Sequence, residues 1–111
     1  ENEVTTQLTK ALFPESEVTV IRRLPSTLFP KDERNVQKLT KVYEQITGLD
    51  GTPVTTTGAT YARFMPNIVA FGPSFPGQKG IAHNQDEYMD EKDLLLNLEI
   101  YMQAMIALTE A

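Results

Sequence analysis

The sequence predicts an α/β fold, a layer of helices over strands, and three observations carry that expectation. Two segments, 32–47 and 91–109, place apolar residues at helical spacing. Three shorter runs, 17–23, 53–57 and 68–71, are rich in β-branched residues or strictly apolar and read as strands. Helix and strand alternate along the chain, the order that builds an α/β layer. In such sheets ligands sit beyond the carboxyl ends of strands, which is where the long stretch after Thr57 falls.

In chain order, residues 2–13 put Val4, Leu8, Ala11 and Leu12 on one helical face, and Pro14 stops the helix. The run 17–23, EVTVIRR, follows as a strand. Pro25 and Pro30 bracket a short loop, and a domain boundary is placed near Leu24, because the flanking segments share no pattern. From Asp32 to Thr47, the residues Val36, Leu39, Val42, Tyr43 and Ile46 make one apolar stripe. Lys38, Lys41, Glu44 and Gln45 face away from it. Asp32 and Glu33 suit the positive end of that helix, and Gly48 suits its C′ position. PVTTT at 53–57 enters the long stretch as a strand, 68–71 is a second short strand, and Gly72-Pro73 ends it. The last helix, 91–109, has Asp90 at its N-cap and Asp93 in its first turn. Leu94, Leu98, Tyr101, Met105 and Leu108 form its stripe, widened by Leu95, Met102 and Ile106. Such a helix is expected to be buried over much of its circumference.

Composition excludes several classes of function. A chain of 111 residues is about one domain long, enough for one core. Its net charge of −5 leaves no basic stripe to neutralise phosphates, which argues against nucleic acid. Arg22, Arg23 and Lys31 come nearest to a cluster, and acids follow at once. The absence of cysteine excludes disulfides and thiolate metal sites and fits a reducing compartment. No apolar run approaches 18 residues, so no membrane span is expected. The chain begins at Glu1, not Met, and is read as a piece of something longer.

The candidate site is the stretch Thr57–Tyr88, TGATYARFMPNIVAFGPSFPGQKGIAHNQDEY. It is long, rich in Gly and Pro, and too apolar for a solvated linker, so an ordered functional loop is expected. It holds the only histidine, His83, with Asp86 and Glu87 nearby. A neutral imidazole is a common metal ligand, but one His and two acids do not make a zinc motif. On the residues alone, a hydrogen-bonded structural histidine stands beside the ligand reading. Gly58 could let backbone N–H groups approach an anion or form a plain turn. Arg63, among Tyr61, Phe64 and Met65, could pair with a ligand carboxylate or a protein one. No P-loop, dinucleotide fingerprint or nucleophile elbow is present.

Three strings in this stretch resemble one family. TGATYAR, NIVAFGPSFPG and AHNQDEY follow one another as GGGTYAR, NxVAFGPxFPG and AHxxDEY do in di-zinc dipeptidases of the peptidase V type. These Xaa-His or carnosinase-like enzymes belong to a larger group with the aminoacylases, acetylornithine deacetylase and succinyl-diaminopimelate desuccinylase. The resemblance runs from about Phe29 to the end of the chain. Thr57 and Ala59 depart from it, standing where the family often has Gly. Residues 1–24 resemble the tail of the family's inserted α+β lid domain. Residues 25–111 resemble the C-terminal segment of its zinc-exopeptidase-type three-layer α/β/α catalytic domain.

The resemblance implies a cytoplasmic metallo-dipeptidase that hydrolyses dipeptides with a two-metal-activated water. Two zinc ions are implied as cofactors, with manganese or cobalt as alternatives. His83 corresponds to one metal ligand, and Asp86 and Glu87 become candidates to bind its second ring nitrogen. Gly58, Ala59, Thr60 and Arg63 would line the substrate pocket. The other ligands and the general-base Glu belong to parts of the family's domain outside this chain, so this piece alone is expected to be inactive. Its expected partners are a dipeptide substrate and the rest of the parent chain. The rival reading is a small stand-alone α/β module whose loop aromatics bind a protein partner.

Overall fold

The computed structural model describes residues 2–22, 26–72, 74–78 and 80–110. Among the described residues there are three α-helices, α1 (Asn2–Leu12), α2 (Arg34–Thr47) and α3 (Glu91–Thr109). A 3-10 turn, Tyr61–Phe64, lies between α2 and α3. The boundary placed near Leu24 falls outside the described residues, as do Arg23 of the first expected strand and Pro73 of the second strand's stop.

Helix α2 shows how local chemistry sets an element. Glu33, extended at φ −61° and ψ 138°, caps it, accepting from the backbone N–H of Asn35 (2.9 Å) and Val36 (3.1 Å). These contacts occupy two of the helix's orphan donors and put negative charge at its positive end. Gly48 closes the other end at φ 67°, its N–H donating to the Glu44 carbonyl at 2.9 Å. A left-handed residue here is the usual role of glycine at C′. Just beyond, Thr52 donates its hydroxyl and its N–H to Asp50, which holds that carboxyl below its ordinary range. Glu33→Ala is expected to destabilise α2 by about 1 kcal/mol. A lower thermal midpoint, with Glu33→Asp close to wild type, is the measurement that checks it.

The core is the seam between α2 and α3. Val36, Leu39 and Val42 of α2 and Asn97, Ile100 and Ala104 of α3 are the buried residues of the two helices. Tyr43, Ile46, Leu96 and Ala107 pack half-buried around the cluster. Lys38, in the second turn of α2, donates to the Glu110 carbonyl just past α3, so the helices run antiparallel. The stripe expected on α2 is the one observed. On α3 the stripe differs: the packed face follows Asn97, Ile100, Ala104 and Ala107.

The larger side chains of α3 point elsewhere. Leu94 is 58% exposed, Leu98 56% and Met105 62%, and Leu95, Met102, Ile106 and Leu108 are exposed as well. Only Tyr101 of the expected stripe is half-buried. The expectation of a helix buried round most of its circumference is therefore corrected: one seam is covered, and the most apolar flanks are bare. Helix α1 touches neither of the other helices, and its Val4, Leu8 and Leu12 are exposed.

Among the described residues no strand forms. The runs 17–22, 53–57 and 68–71 are irregular, with Ile21 96% and Val54 90% exposed. The alternating strands expected at these places are not formed, because a strand exists only beside a partner that takes its N–H and C=O groups. The radius of gyration, 18.6 Å, exceeds the roughly 13 Å of a compact domain this long. A core of five buried apolar residues cannot draw 111 residues tighter.

Candidate functional site

The stretch Thr57–Tyr88 divides into three parts, each held differently. The first is the 57–67 loop. Thr60 caps the 3-10 turn, its hydroxyl accepting from the Ala62 N–H at 3.2 Å, and its carbonyl accepts from the Arg63 N–H at 3.3 Å. The Gly58 N–H donates to the Thr56 hydroxyl at 3.1 Å. Gly58, Ala59 and Thr60 are exposed and Arg63 is half-buried. Beside them, the Arg22 guanidinium lies 5.5 Å from the centre of the Phe64 ring, within cation–π range. This contact joins the 17–22 segment to the loop and was not foreseen from sequence, where Arg22 read only as part of a basic cluster.

The second part, Phe71–Gln78, is docked on the helix pair. Phe71 meets Tyr101 edge-on with ring centres 6.0 Å apart, and the Tyr101 hydroxyl donates to the Phe71 carbonyl at 3.4 Å. Phe75 stacks on Tyr43 of α2 at 6.4 Å. Between these anchors Gly72 turns at φ 73°, and a Cβ there would run into the Tyr101 hydroxyl. Gln78 accepts from the Phe75 N–H at 2.9 Å and donates to the Asp93 carboxylate of α3 at 2.7 Å. Sequence reasoning missed these anchors. Their signal was present, since Tyr43 and Tyr101 are aromatics on helical faces opposite a Phe-Gly…Phe-Pro-Gly run.

The third part is the His83 turn. Residues 82–90 are exposed. His83 and Asp86 hold left-handed backbone, at φ 62° and φ 59°. Such a conformation in a residue with a Cβ persists only where its surroundings over-determine it, and it concentrates at functional sites. The His83 N–H donates to a Glu87 carboxylate oxygen at 3.3 Å, and the Asn84 side chain donates to the Gly80 and Ala82 carbonyls. Glu87 thus braces the backbone of His83; the sequence reading made it, together with Asp86, a candidate partner for the ring. The turn leads into α3, whose N-cap Asp90 uses its carbonyl: the N–H groups of Asp93 and Leu94 donate to it, both at 3.0 Å.

Among the described residues no group of three His, Asp or Glu is arranged to hold a metal ion. The donor chemistry fits one position of a site: a single exposed imidazole on a braced turn, with the remaining ligands supplied from elsewhere. Among the described residues, two of the grooves are lined by none of Gly58, Ala59, Thr60, Arg63 or His83. One, of about 330 Å³, lies between α2 and α3 around Gln45, Ile46, Gln103 and Ala107. The other, of about 380 Å³, separates Thr5, Thr6 and Thr9 of α1 from residues 18–22. No described helix is long and apolar enough to cross a membrane.

The helix pair thus has bare apolar flanks and carries a loop and a histidine turn at its edge. Residues 3–107 match the family described as Peptidase family M20/M25/M40, and the chain belongs to that family. It is similar to the Bacillus subtilis (strain 168) protein named "Putative dipeptidase YtjP", with 42% identity over 79 residues, 71% of this chain and 17% of that protein. It is also similar to the Beta-Ala-Xaa dipeptidase of Lactobacillus delbrueckii subsp. lactis, with 38% identity over 81 residues, 73% of this chain and 17% of that one. The chain thus spans about a sixth of the length of these curated relatives. No solved structure matches it.

Proposed function

We propose that this chain is part of a metal-dependent dipeptidase of the peptidase V type, to which it contributes one metal ligand and part of the substrate pocket. The observation that carries this reading is the family match over nearly the whole chain, together with relatives named as dipeptidases. The bare flanks of α3 support it, since a helix this apolar on several sides belongs inside a larger domain. In that domain the runs 17–22, 53–57 and 68–71 would find strand partners and the α/β/α layering would form. Residues 1–24 would belong to the lid domain and 25–111 to the catalytic domain.

His83 is the ligand in this reading, and the 58–63 loop faces the substrate. Glu87 fixes the turn through the His83 N–H, which leaves Asp86 as the candidate partner for the ring's second nitrogen. Bound metal, zinc or alternatively manganese or cobalt, would supply activation of water for peptide hydrolysis. The chain's own part is to place an imidazole and to shape the pocket wall.

The test compares the 111-residue chain with the full-length protein that carries it, both loaded with zinc and assayed on unblocked dipeptides. The full-length protein is expected to hydrolyse them and the chain alone to be inactive, since one imidazole cannot hold a metal tightly. A full-length protein with metal bound and no turnover on any dipeptide would overturn the assignment. Activity in the rigorously purified chain alone would overturn the placement of the missing ligands.

A further inference from the structure

The His83 turn is nearly self-contained. Its described hydrogen bonds close within residues 80–87, and its residues from 82 onward are exposed. What places it on the helix pair must therefore act at its two ends. One end is the covalent entry into α3 at Glu91. The other is Gln78, five residues before His83, with both ends of its side-chain amide engaged. The oxygen accepts from Phe75, whose ring is stacked on Tyr43 of α2, and the nitrogen donates to Asp93 in the first turn of α3. An unbroken path of contacts thus runs from α2 through Phe75 and Gln78 to α3.

We infer that Gln78 and Asp93 form a clasp that seats the His83 turn on α3, making both of them positioning residues for His83; the consequence for metal binding rests on the reading of His83 as a ligand. Closing the chain between residues 78 and 93 leaves the turn short and anchored at both ends. Opening it leaves the Phe75–Gln78 turn closed by its backbone bond, Gln78 N–H to the Phe75 carbonyl at 3.2 Å, but frees the span from there to Glu91 of its tie to α3, and the imbalance is entropic: an untied loop samples more positions of the imidazole. Gln suits the role because its amide offers an acceptor and a donor at once. The bond to Asp93 is charge-assisted and short, at 2.7 Å, and so directional.

The experiment uses the full-length protein and reads two quantities: hydrogen–deuterium exchange of peptides covering residues 80–90, and zinc affinity by competition with a chelator. Gln78→Ala and Asp93→Ala are each expected to speed exchange in that segment and to weaken binding of one zinc ion by about threefold, the scale of a loosened loop. The double variant is expected to be no worse than the poorer single one, because both break the same contact. Asp93→Asn keeps an acceptor oxygen but loses the charge, and is expected to fall between wild type and Asp93→Ala. Gln78→Met, which keeps the volume and removes both polar contacts, serves if Gln78→Ala fails to accumulate. Unchanged exchange at 80–90, additive losses in the double variant, or faster exchange spread evenly over α2 and α3 would each overturn the clasp. If His83→Ala leaves zinc affinity unchanged while Gln78→Ala still loosens 80–90, the clasp stands and the metal reading falls. If His83→Ala releases an ion while Gln78→Ala changes neither quantity, the metal reading stands and the clasp falls.

Discussion

If His83 is a metal ligand as proposed, His83→Ala in the full-length protein is expected to cost one bound metal ion and nearly all turnover. Removing an outer support of a ligand typically costs ten- to a hundredfold, so loss of the ligand itself should cost at least about a hundredfold in kcat. The fold should survive, because the imidazole is exposed and its removal opens no cavity. The left-handed backbone at φ 62° gives a control. His83→Gly relieves that conformation, so it should lose metal like alanine while keeping or raising the thermal midpoint. Metal analysis, circular dichroism and steady-state kinetics on the same preparations check all three points. Full metal content with lost activity would assign His83 to another role, such as proton donation.

The second large effect is expected at Arg63. A dipeptide has its terminal carboxylate one residue from the scissile bond, so a dipeptidase must read that carboxylate inside its pocket. Arg63 is half-buried at the 3-10 turn, beside Phe64 and the Arg22 that lies over it. Its planar fork would bind a carboxylate through two parallel bonds. The informative comparison is a dipeptide against its C-terminal amide, in wild type and in Arg63→Ala. If Arg63 clamps the substrate, wild type should strongly prefer the free acid and the variant should lose that preference. A charge-assisted bond of roughly 1.5–3 kcal/mol corresponds to about a ten- to hundredfold change in kcat/KM. Equal losses on acid and amide would make Arg63 a residue that shapes the loop, and the clamp would then lie in the lid domain or in the backbone around Gly58.

The sequence by itself determined the helices and the motif-bearing stretch. Pro14, which lacks the N–H a helix needs, and Gly48 and Asp90, whose backbone bonds are a few residues long, mark helix ends, and such signals need no distant partner; the helix expected from Asp32 begins at Arg34, after Glu33. The apolar stripe of α2 was legible for the same reason, since its one packed face is also its most apolar one. Only the tertiary structure decided which face of α3 meets α2. Asn97 and Ala104 are unremarkable in a hydropathy reading, yet they are buried because burial depends on which face the neighbouring helix covers, while most of the larger Leu and Met residues are left bare. The β-branched runs signal a capacity to pair, and pairing depends on neighbours; among the described residues none of them is paired. His83 was legible as a candidate from its motif, but its seating was not. That depends on Gln78 meeting Asp93, and on Phe75 meeting Tyr43, across gaps of 15 and 32 residues that no local pattern spans.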